Sequence, residues 1–199
     1  MVRPRADNYD ERRQEIRDAA ATIFAERGFD GTSIADIARK CGVSKALLYH
    51  YYDSKEALLY DMLHSHCRLL AETATDALHE QAGPELQLRN LVRALMRLYM
   101  GSRDKHVVLL NDLHCLPADQ QSEIRDLERQ VLQVIRNLLA KLRPDLDAPV
   151  IASLSMYLMG AINWTYTWFN PHGPMSAREY ADLATAIFLN GVLGELPAA

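Results

Sequence analysis

The stretch that most constrains this chain lies at residues 32–58, which read TSIADIARKCGVSKALLYHYYDSKEAL. Gly42 stands where a first helix would end, because glycine adopts the left-handed backbone at low cost. Ser44 is placed to cap a second, short helix by accepting a hydrogen bond from a free backbone amide. Ser54 repeats this signal before a third helix. The pattern of helix, glycine turn and short capped helix predicts a helix-turn-helix, whose second helix can enter a DNA major groove.

Apolar residues support the same interpretation. Ile34, Ile37 and Ala38 recur at helical spacing and predict one buried face on the first of these helices. Val43 and Leu48 flank the serine cap of the second helix at the spacing of a hydrophobic staple. We therefore expect the second helix to enter at a defined angle.

Two longer motifs extend the pattern. The segments IRDAAATIFAERGFDGTS (residues 16–33) and ADIARKCGVSKALLYHYYDSKEALL (residues 35–59) resemble the TetR family of bacterial regulators. The resemblance covers roughly the first third of the chain. It implies an all-α homodimer of about nine helices with no enzymatic activity, which binds a pseudo-palindromic double-stranded DNA operator. We expect residues 1–54 to form a three-helix DNA-binding domain and residues 55–199 to form a ligand-binding and dimerisation domain.

The resemblance also assigns individual residues to DNA. In the family, residues just after the cap of the second helix approach base edges, while matching tyrosines, lysines and a threonine contact phosphates. The predicted DNA-binding residues are therefore Thr32, Ser44, Lys45, Ala46, Leu47, Tyr49, His50, Tyr51 and Lys55. Many family members carry Gly and Thr where this chain has Ala46 and Leu47. Because Leu47 cannot hydrogen-bond a base, readout there would be apolar, for instance against a thymine methyl. Core packing is the alternative for His50, and we expect it for Tyr52.

The net charge of −4 is unusual for a DNA-binding protein. Residues 1–56 contain 10 Lys and Arg against 10 Asp and Glu, so the acidity lies in the remainder. A neutral domain with a small basic footprint predicts modest non-specific affinity and a need for dimerisation. Residues 1–7 have the composition of a polar arm. Its Arg3 and Arg5 either reach the minor groove or the DNA backbone, or belong to a solvated tail.

The rest of the chain has the pattern of successive helices with no convincing strand. The predicted helices are residues 11–27, 55–82, 84–100, 105–114, 117 to about 144, 149–169, and a last one capped by Ser176. The helix at 149–169 is nearly apolar all round, so a membrane-spanning segment has to be considered. Its serines and threonines, and Pro171 and Pro174 at its end, argue against one. Because such a helix must bury every face, we expect it in a subunit interface, and the resemblance implies the same place for the last two helices.

A second constellation reads NWTYTWFNPHGPMS, at residues 163–176. Trp164 and Trp168 lie four residues apart, which predicts a shared helix face; core packing is the alternative for most of these aromatics. The turn at residues 169–176 resembles a subgroup of TetR-like repressors that respond to acyl-CoA thioesters in fatty-acid, sterol or phenylacetate catabolism. We expect an acyl-CoA or a related metabolite as effector. The predicted slot between helices is lined by Met96, Tyr99, Met100, Arg103, Asn111, His114, Trp164 and Trp168.

Other classes of function have less support. One alternative is a TetR-like regulator of an efflux pump that senses drug-like amphiphiles; another is an enzyme built on a helical bundle. No phosphate-binding glycine loop or nucleophile elbow is present, and no cofactor is expected. His64 and Cys67 share a helix face but lack the further ligands of a zinc site, so no metal is expected. Cys115 as a redox sensor has no support, because nothing near it in sequence lowers its pKa. The polar N-terminus and three unpatterned cysteines predict a cytoplasmic protein with free thiols.

Overall fold

The computed structural model describes residues 4–78 and 82–194, and the side chains from residue 9 onward within them. Every regular element in these ranges is helical, which confirms the predicted all-α fold. Nine of the helices have seven or more residues, α9 is a single turn, and a short 3-10 turn at Leu113–Cys115 follows α6. The α-helices are α1 (Pro4–Arg27), α2 (Ile34–Cys41), α3 (Lys45–Tyr51), α4 (Lys55–Asp76), α5 (Pro84–Gly101), α6 (Arg103–Asp112), α7 (Ala118–Leu142), α8 (Ala148–Asn163), α9 (Thr165–Trp168) and α10 (Ala177–Val192).

The helices form two compact units. The head unit comprises the chain up to Cys67 together with Asp104–Ile124, and the body unit comprises Arg68–Arg103 and the chain from Arg125 onward. The predicted boundary at residues 54 and 55 falls at the start of α4, whose first half belongs to the head unit. The head unit also takes up α6 almost entirely, although no pattern in the sequence groups this segment with the helix-turn-helix.

Apolar side chains from four helices build the core of the head unit. Completely buried side chains come from α1, α2, α3 and the first half of α4: Ile16, Ala20, Phe24, Ile37, Leu48, Leu58, Leu59 and Met62. Polar groups reinforce this core at one point. The Tyr52 hydroxyl donates to the Asp61 carboxylate at 2.7 Å, and Arg13 and Arg17 of α1 pair with the same carboxylate at 3.0 and 3.1 Å. Burial, and then the bond to Asp61, raise the pKa of Tyr52, so its hydroxyl stays a donor.

The body unit has its own core between α5, α7, α8 and α10. Its buried side chains include Leu88, Leu91, Leu95, Val131, Ile135, Leu138, Leu158, Ile162, Phe188 and Leu189. Arg93 of α5 donates through two nitrogens to the carboxylate of Asp182 on α10, one of the bonds being 2.8 Å long. Such paired bonds fix geometry as well as adding attraction. Together these contacts hold α10 along α5.

Helix α1 begins earlier than expected. Residues 4–7, predicted as part of a polar arm, are helical, and α1 starts at Pro4 rather than at residue 11. Proline is favoured at the first helical position, because its missing N–H would have no helical partner there. Arg3 and the side chain of Arg5 lie outside the described residues.

Two predicted helices end differently in the structure. Helix α4 stops at Asp76, not at residue 82, and residues 79–81 lie outside the described ranges. The predicted helix at 149–169 is two helices, separated at Trp164. The Thr165 hydroxyl donates to the Ile162 carbonyl at 2.6 Å, a local bond of the kind that competes with the helical ladder. None of the described helices has the length and apolar character needed to cross a membrane.

Two buried histidines in the head unit make a pH-dependent contribution to stability. His66 of α4 and His106 of α6 are each 3% exposed, and their ring centroids lie 5.8 Å apart. Burial lowers the pKa of His66 from 6.5 to about 3, helped by the charges of His106 and Lys105, and burial lowers that of His106 to about 4. Between these values and 6.5 the unfolded chain binds more protons than the folded one, so stability is lost as the pH falls.

We expect the free energy of unfolding to drop by up to about 1.4 kcal/mol per pH unit for each of these histidines as the pH falls below about 6.5. Replacing His66 by Phe, a ring of similar size, should make that decline shallower. Urea denaturation at a series of pH values measures it. Leu69→Phe, at an exposed position on the same helix that carries no titratable group, is the control and should leave the slope unchanged; a His66→Phe slope equal to that of the wild type would contradict the assignment.

Candidate functional site

The predicted turn chemistry of the helix-turn-helix is confirmed. Gly42 has a φ of 65°, and its N–H donates to the carbonyls of Ala38 and Arg39, which ends α2. The Ser44 hydroxyl accepts from the Leu47 amide at 3.1 Å and so caps α3. The Ser54 hydroxyl accepts from the Ala57 amide at 3.0 Å at the start of α4. These local bonds fix where α2 ends and where α3 and α4 begin.

Helix α3 is anchored by few side chains and exposes the rest. Leu48 is completely buried, and Tyr52, directly after the helix, is 4% exposed. Exposed side chains cover the remaining faces of the helix: Lys45, Ala46, Leu47, Tyr49 and His50. Leu47 is 40% and Tyr49 44% exposed. Large apolar groups held in water on a well-packed helix point to a surface that binds a partner.

A groove beside this surface is suited to an anion. It has a volume of about 460 Å³, and its lining includes the caps Ser33 and Ser54 at the starts of α2 and α4. The other polar side chains of the lining include those of Lys45, Tyr49 and Lys55 and the carboxylates of Asp53 and Glu56. The free amides of a helix start and the helix dipole both favour negative charge. The Lys45 ammonium lies 5.7 Å from the centre of the Tyr49 ring. The arrangement can bind a phosphate of a nucleic-acid backbone.

Thr32 and Lys55 are placed differently from their predicted role as phosphate contacts. Thr32 does not cap α2: it is 3% exposed, and its hydroxyl donates to the Gly28 carbonyl at 2.9 Å. The Lys55 ammonium donates to the carbonyls of Phe29 and Thr32 at 2.7 and 3.0 Å and lies 4.0 Å from the centre of the Phe29 ring. Both side chains therefore stabilise the loop that precedes α2.

Ser33, which is absent from the predicted site, is the cap of α2. Its hydroxyl accepts from the Asp36 amide, and the Asp36 carboxylate accepts from the Ser33 amide in return. The sequence contains the signal for this capping box, a serine followed three residues later by a carboxylate. Ser33 is exposed, so its hydroxyl and the neighbouring amides line the groove in the place predicted for Thr32.

Three of the predicted effector-binding residues meet at the junction between α8 and α9. The Tyr99 hydroxyl donates to the Asn163 side chain at 2.8 Å, and Arg103 donates to the Tyr166 carbonyl at 2.8 Å. The sulfur of Met96 lies 3.9 Å from the Thr165 hydroxyl. Met96 and Tyr99 lie three residues apart on α5, and Arg103 is the first residue of α6, so the end of α5 and the start of α6 meet the whole junction. Met100 is half-buried and packs against the body core.

The other predicted effector residues are distributed differently. Trp164 and Trp168 do not share one continuous helix face, because Trp164 lies at the break between α8 and α9, and they are 62% and 55% exposed. Trp168 packs edge-on against Tyr180 of α10, with ring centroids 5.3 Å apart. Asn111 and His114 belong to the head unit and are exposed. The Asn111 side chain donates to the Val107 carbonyl of its own helix at 2.9 Å.

The outer face of α8 and α10 is apolar and exposed. Met156, Tyr157, Leu183 and Ile187 are 54%, 69%, 46% and 62% exposed. A groove of about 160 Å³ runs between the two helices, and its lining includes Tyr157, Leu183 and Ile187. Large apolar side chains exposed together on a folded protein are typical of a protein–protein interface.

The described part of the chain gives little support for a metal site or for reactive cysteines. Within those ranges, no three His, Cys, Asp or Glu side chains lie together as a metal site. Cys41, Cys67 and Cys115 are all described, and none of them forms a disulfide. Burial, together with the charges of Asp112 and Asp30, raises the pKa of Cys115, which disfavours the reactive thiolate.

The helix-turn-helix geometry agrees with family comparisons. Residues 16–62 match the family described as bacterial regulatory proteins, tetR family, and residues 81–192 match the tetracyclin repressor-like C-terminal domain. The chain belongs to the TetR family. Its members are DNA-binding transcriptional regulators, which confirms that the chain is a regulator of this kind and not an enzyme. Regulators of this family bind operator DNA and form dimers.

Individual relatives extend along nearly the whole chain. The HTH-type transcriptional repressor KstR2 of Mycobacterium tuberculosis is 26% identical over 96% of this chain and 97% of its own length. A crystal structure of a TetR-family regulator from Bordetella parapertussis is 39% identical with a TM-score of 0.86, covering 94% of this chain and 98% of that one. AibR, solved in complex with isovaleryl coenzyme A and operator DNA, is 25% identical with a TM-score of 0.77, covering 88% and 97%.

The two lysines of the groove should behave differently when replaced by alanine. Lys45→Ala removes an exposed cation, so the slope of log affinity for DNA against log salt should fall by about 1 for each phosphate that the variant no longer binds, with unchanged stability. Lys55→Ala removes two charge-assisted bonds to the loop, so the free energy of unfolding should fall by about 1.5–3 kcal/mol. Surface plasmon resonance at several salt concentrations and urea denaturation measure the two effects. A stable Lys55→Ala variant with a reduced salt slope would instead place this ammonium on the DNA.

Proposed function

We propose that this chain is a ligand-responsive repressor that binds a pseudo-palindromic operator as a homodimer and leaves it when an acyl-CoA or a related metabolite binds. The observation that carries the DNA-binding part is the exposed surface of α3, with Lys45, Leu47 and Tyr49 beside the capped starts of α2 and α4. Two such helices would occupy successive major grooves about 34–36 Å apart. A DNA partner and cysteines outside disulfides both fit a cytoplasmic protein.

Different groups of this surface suit the reading of bases and contact with the DNA backbone. Lys45, Tyr49, Tyr51 and the amides at Ser33 and Ser54 suit phosphates, which position the protein without reading sequence. Ala46 and Leu47, in the first turn of α3, suit the base edges. Leu47 has only an apolar side chain to offer there, so it favours the methyl group of a thymine. His50 is exposed, which favours contact with DNA over core packing.

The dimer, in our proposal, forms through the outer face of α8 and α10. This face is continuous across both helices, apolar and grooved, and its Tyr157 and Ile187 are the most exposed of its residues. Because the first 56 residues carry no net charge, one head has little non-specific affinity. Coupling two heads raises the affinity through the high effective concentration of the second one.

Ile187→Lys should dissociate this dimer. Two lysines buried face to face lose their hydration, so we expect the dimer dissociation constant to rise by at least about a hundredfold. Analytical ultracentrifugation measures the mass directly. Leu69→Lys, at a 44% exposed position on α4, is the matched control and should stay dimeric. A dimer that tolerates lysine at position 187 would place the interface elsewhere.

The acyl-CoA part of the proposal has two supports. AibR, similar to this chain along most of its length, binds isovaleryl coenzyme A according to its structure. In this chain Met96 and Tyr99 of α5 and Arg103 at the start of α6 contact the junction between α8 and α9, and α8 carries half of the proposed dimer face. A ligand that displaces these contacts would therefore act on α8 and, through it, on the proposed dimer face. Release from DNA follows if the ligand prefers a dimer in which the operator spacing is wrong.

Titration of CoA thioesters against a protein–operator complex tests this proposal. At least one short or medium acyl-CoA should weaken operator binding by about 5-fold to 150-fold, the usual range of such coupling. Tyr99→Phe, which removes only the hydroxyl bonded to Asn163, should bind operator normally but show a changed response to the thioester. Tyr60→Phe is the matched control: it also removes a hydroxyl bonded to another side chain, that of Glu123, but lies in the head unit, and it should leave the response unchanged. No shift with any thioester, or a shift by drug-like amphiphiles alone, would overturn the acyl-CoA assignment and favour control of an efflux pump.

A further inference from the structure

Helix α1 carries an aromatic contact at its N-terminal end that the DNA-binding assignment does not use. Tyr9 lies in the second turn of α1 and stacks on Tyr51, the last residue of α3, with ring centroids 4.7 Å apart and an angle of 27° between the rings. His50 meets the same Tyr51 ring edge-on, at 5.7 Å and 81°. Tyr9 is 39% exposed and Tyr51 is half-buried.

The position of Tyr9 on its helix distinguishes this contact from core packing. Tyr9 lies seven residues, or two turns, before Ile16, so the two side chains share one face of α1. Ile16 is completely buried in the head core, whereas Tyr9 stays exposed to solvent. The face of α1 that packs into the head core therefore continues beyond the core and meets the end of α3.

The stack has a physical consequence for Tyr51. The last residues of a helix lack part of their backbone hydrogen bonds and fray, which lets a terminal side chain take several orientations. Offset stacking against a second ring selects one orientation before DNA is present. A side chain ordered in advance loses less conformational entropy on binding, which raises affinity without a new contact to the ligand.

We propose that Tyr9 is a positioning residue for operator binding, which acts by stacking on Tyr51 and holding that side chain ready for the DNA backbone. This inference rests on the proposed role of Tyr51 as a DNA contact. The effect requires no bond between Tyr9 and DNA. The ring of Tyr9, and not its hydroxyl, positions the Tyr51 side chain.

A double-mutant cycle tests the inference, with a duplex selected by the wild-type protein from random-sequence DNA as the probe. Tyr9→Leu should weaken binding by about twofold to twelvefold for each α3, and thus by about fivefold to 150-fold for the dimer. Tyr9→Phe keeps the ring and should bind within about twofold of the wild type. In a Tyr51→Leu background, Tyr9→Leu should cause no further loss, because the side chain that it positions is gone.

Three outcomes would overturn the inference. Wild-type affinity of Tyr9→Leu would show that the stack has no role in binding. An equal loss in both backgrounds would show that Tyr9 acts without Tyr51, and a loss with Tyr9→Phe would place its hydroxyl on the DNA. Affinities are compared at a temperature below the unfolding midpoint of every variant, so that partial unfolding of a less stable head unit does not imitate the effect. Failure of the wild-type protein to select any duplex would instead refute the proposed function.

Discussion

The carboxylate of Asp61 is the interaction on which the geometry of the head unit depends. It lies on α4, accepts the hydroxyl of Tyr52 at the end of α3, and pairs with Arg13 and Arg17 of α1. One half-buried charge therefore ties three helices together. Because the charge is satisfied by two cations and a hydroxyl, removing any one partner leaves a desolvated group, which is costly. The surface that α3 presents follows from this anchor, since Leu48 and Tyr52 are the side chains of this region that reach the core.

The local features of the head were predictable from the sequence for a physical reason. Gly42, Ser44 and Ser54 each act through a backbone group within five residues, so the sequence contains both partners of every bond. The family resemblance added the prediction that the exposed side of α3 faces DNA. The positions of the Thr32 and Lys55 side chains are not predictable in this way, because their partners, the carbonyls of Gly28, Phe29 and Thr32, belong to a loop whose path depends on tertiary packing.

The break between α8 and α9 in the body unit is not predictable from the sequence. An apolar run from 149 to 169 has the composition of one long helix, and nothing in its periodicity marks Trp164 as a break. The break depends on the Thr165 hydroxyl and on contacts from α5, which lies more than sixty residues earlier in the chain. Of the eight residues predicted for the effector, the structure joins Met96, Tyr99 and Arg103 to this junction. The membership of all eight in an effector site stays a prediction.

The distribution of aromatic residues has a consequence for how this protein can be observed. The chain has two tryptophans, Trp164 and Trp168, and both lie in the body unit with more than half of their surface in solvent. The helices that we assign to DNA contain tyrosine but no tryptophan. Indole emission, excited selectively, therefore reports the body alone and responds to the polarity around the α8–α9 junction. Events at the two ends of the proposed regulatory path are spectroscopically separate in the natural chain, without any introduced label.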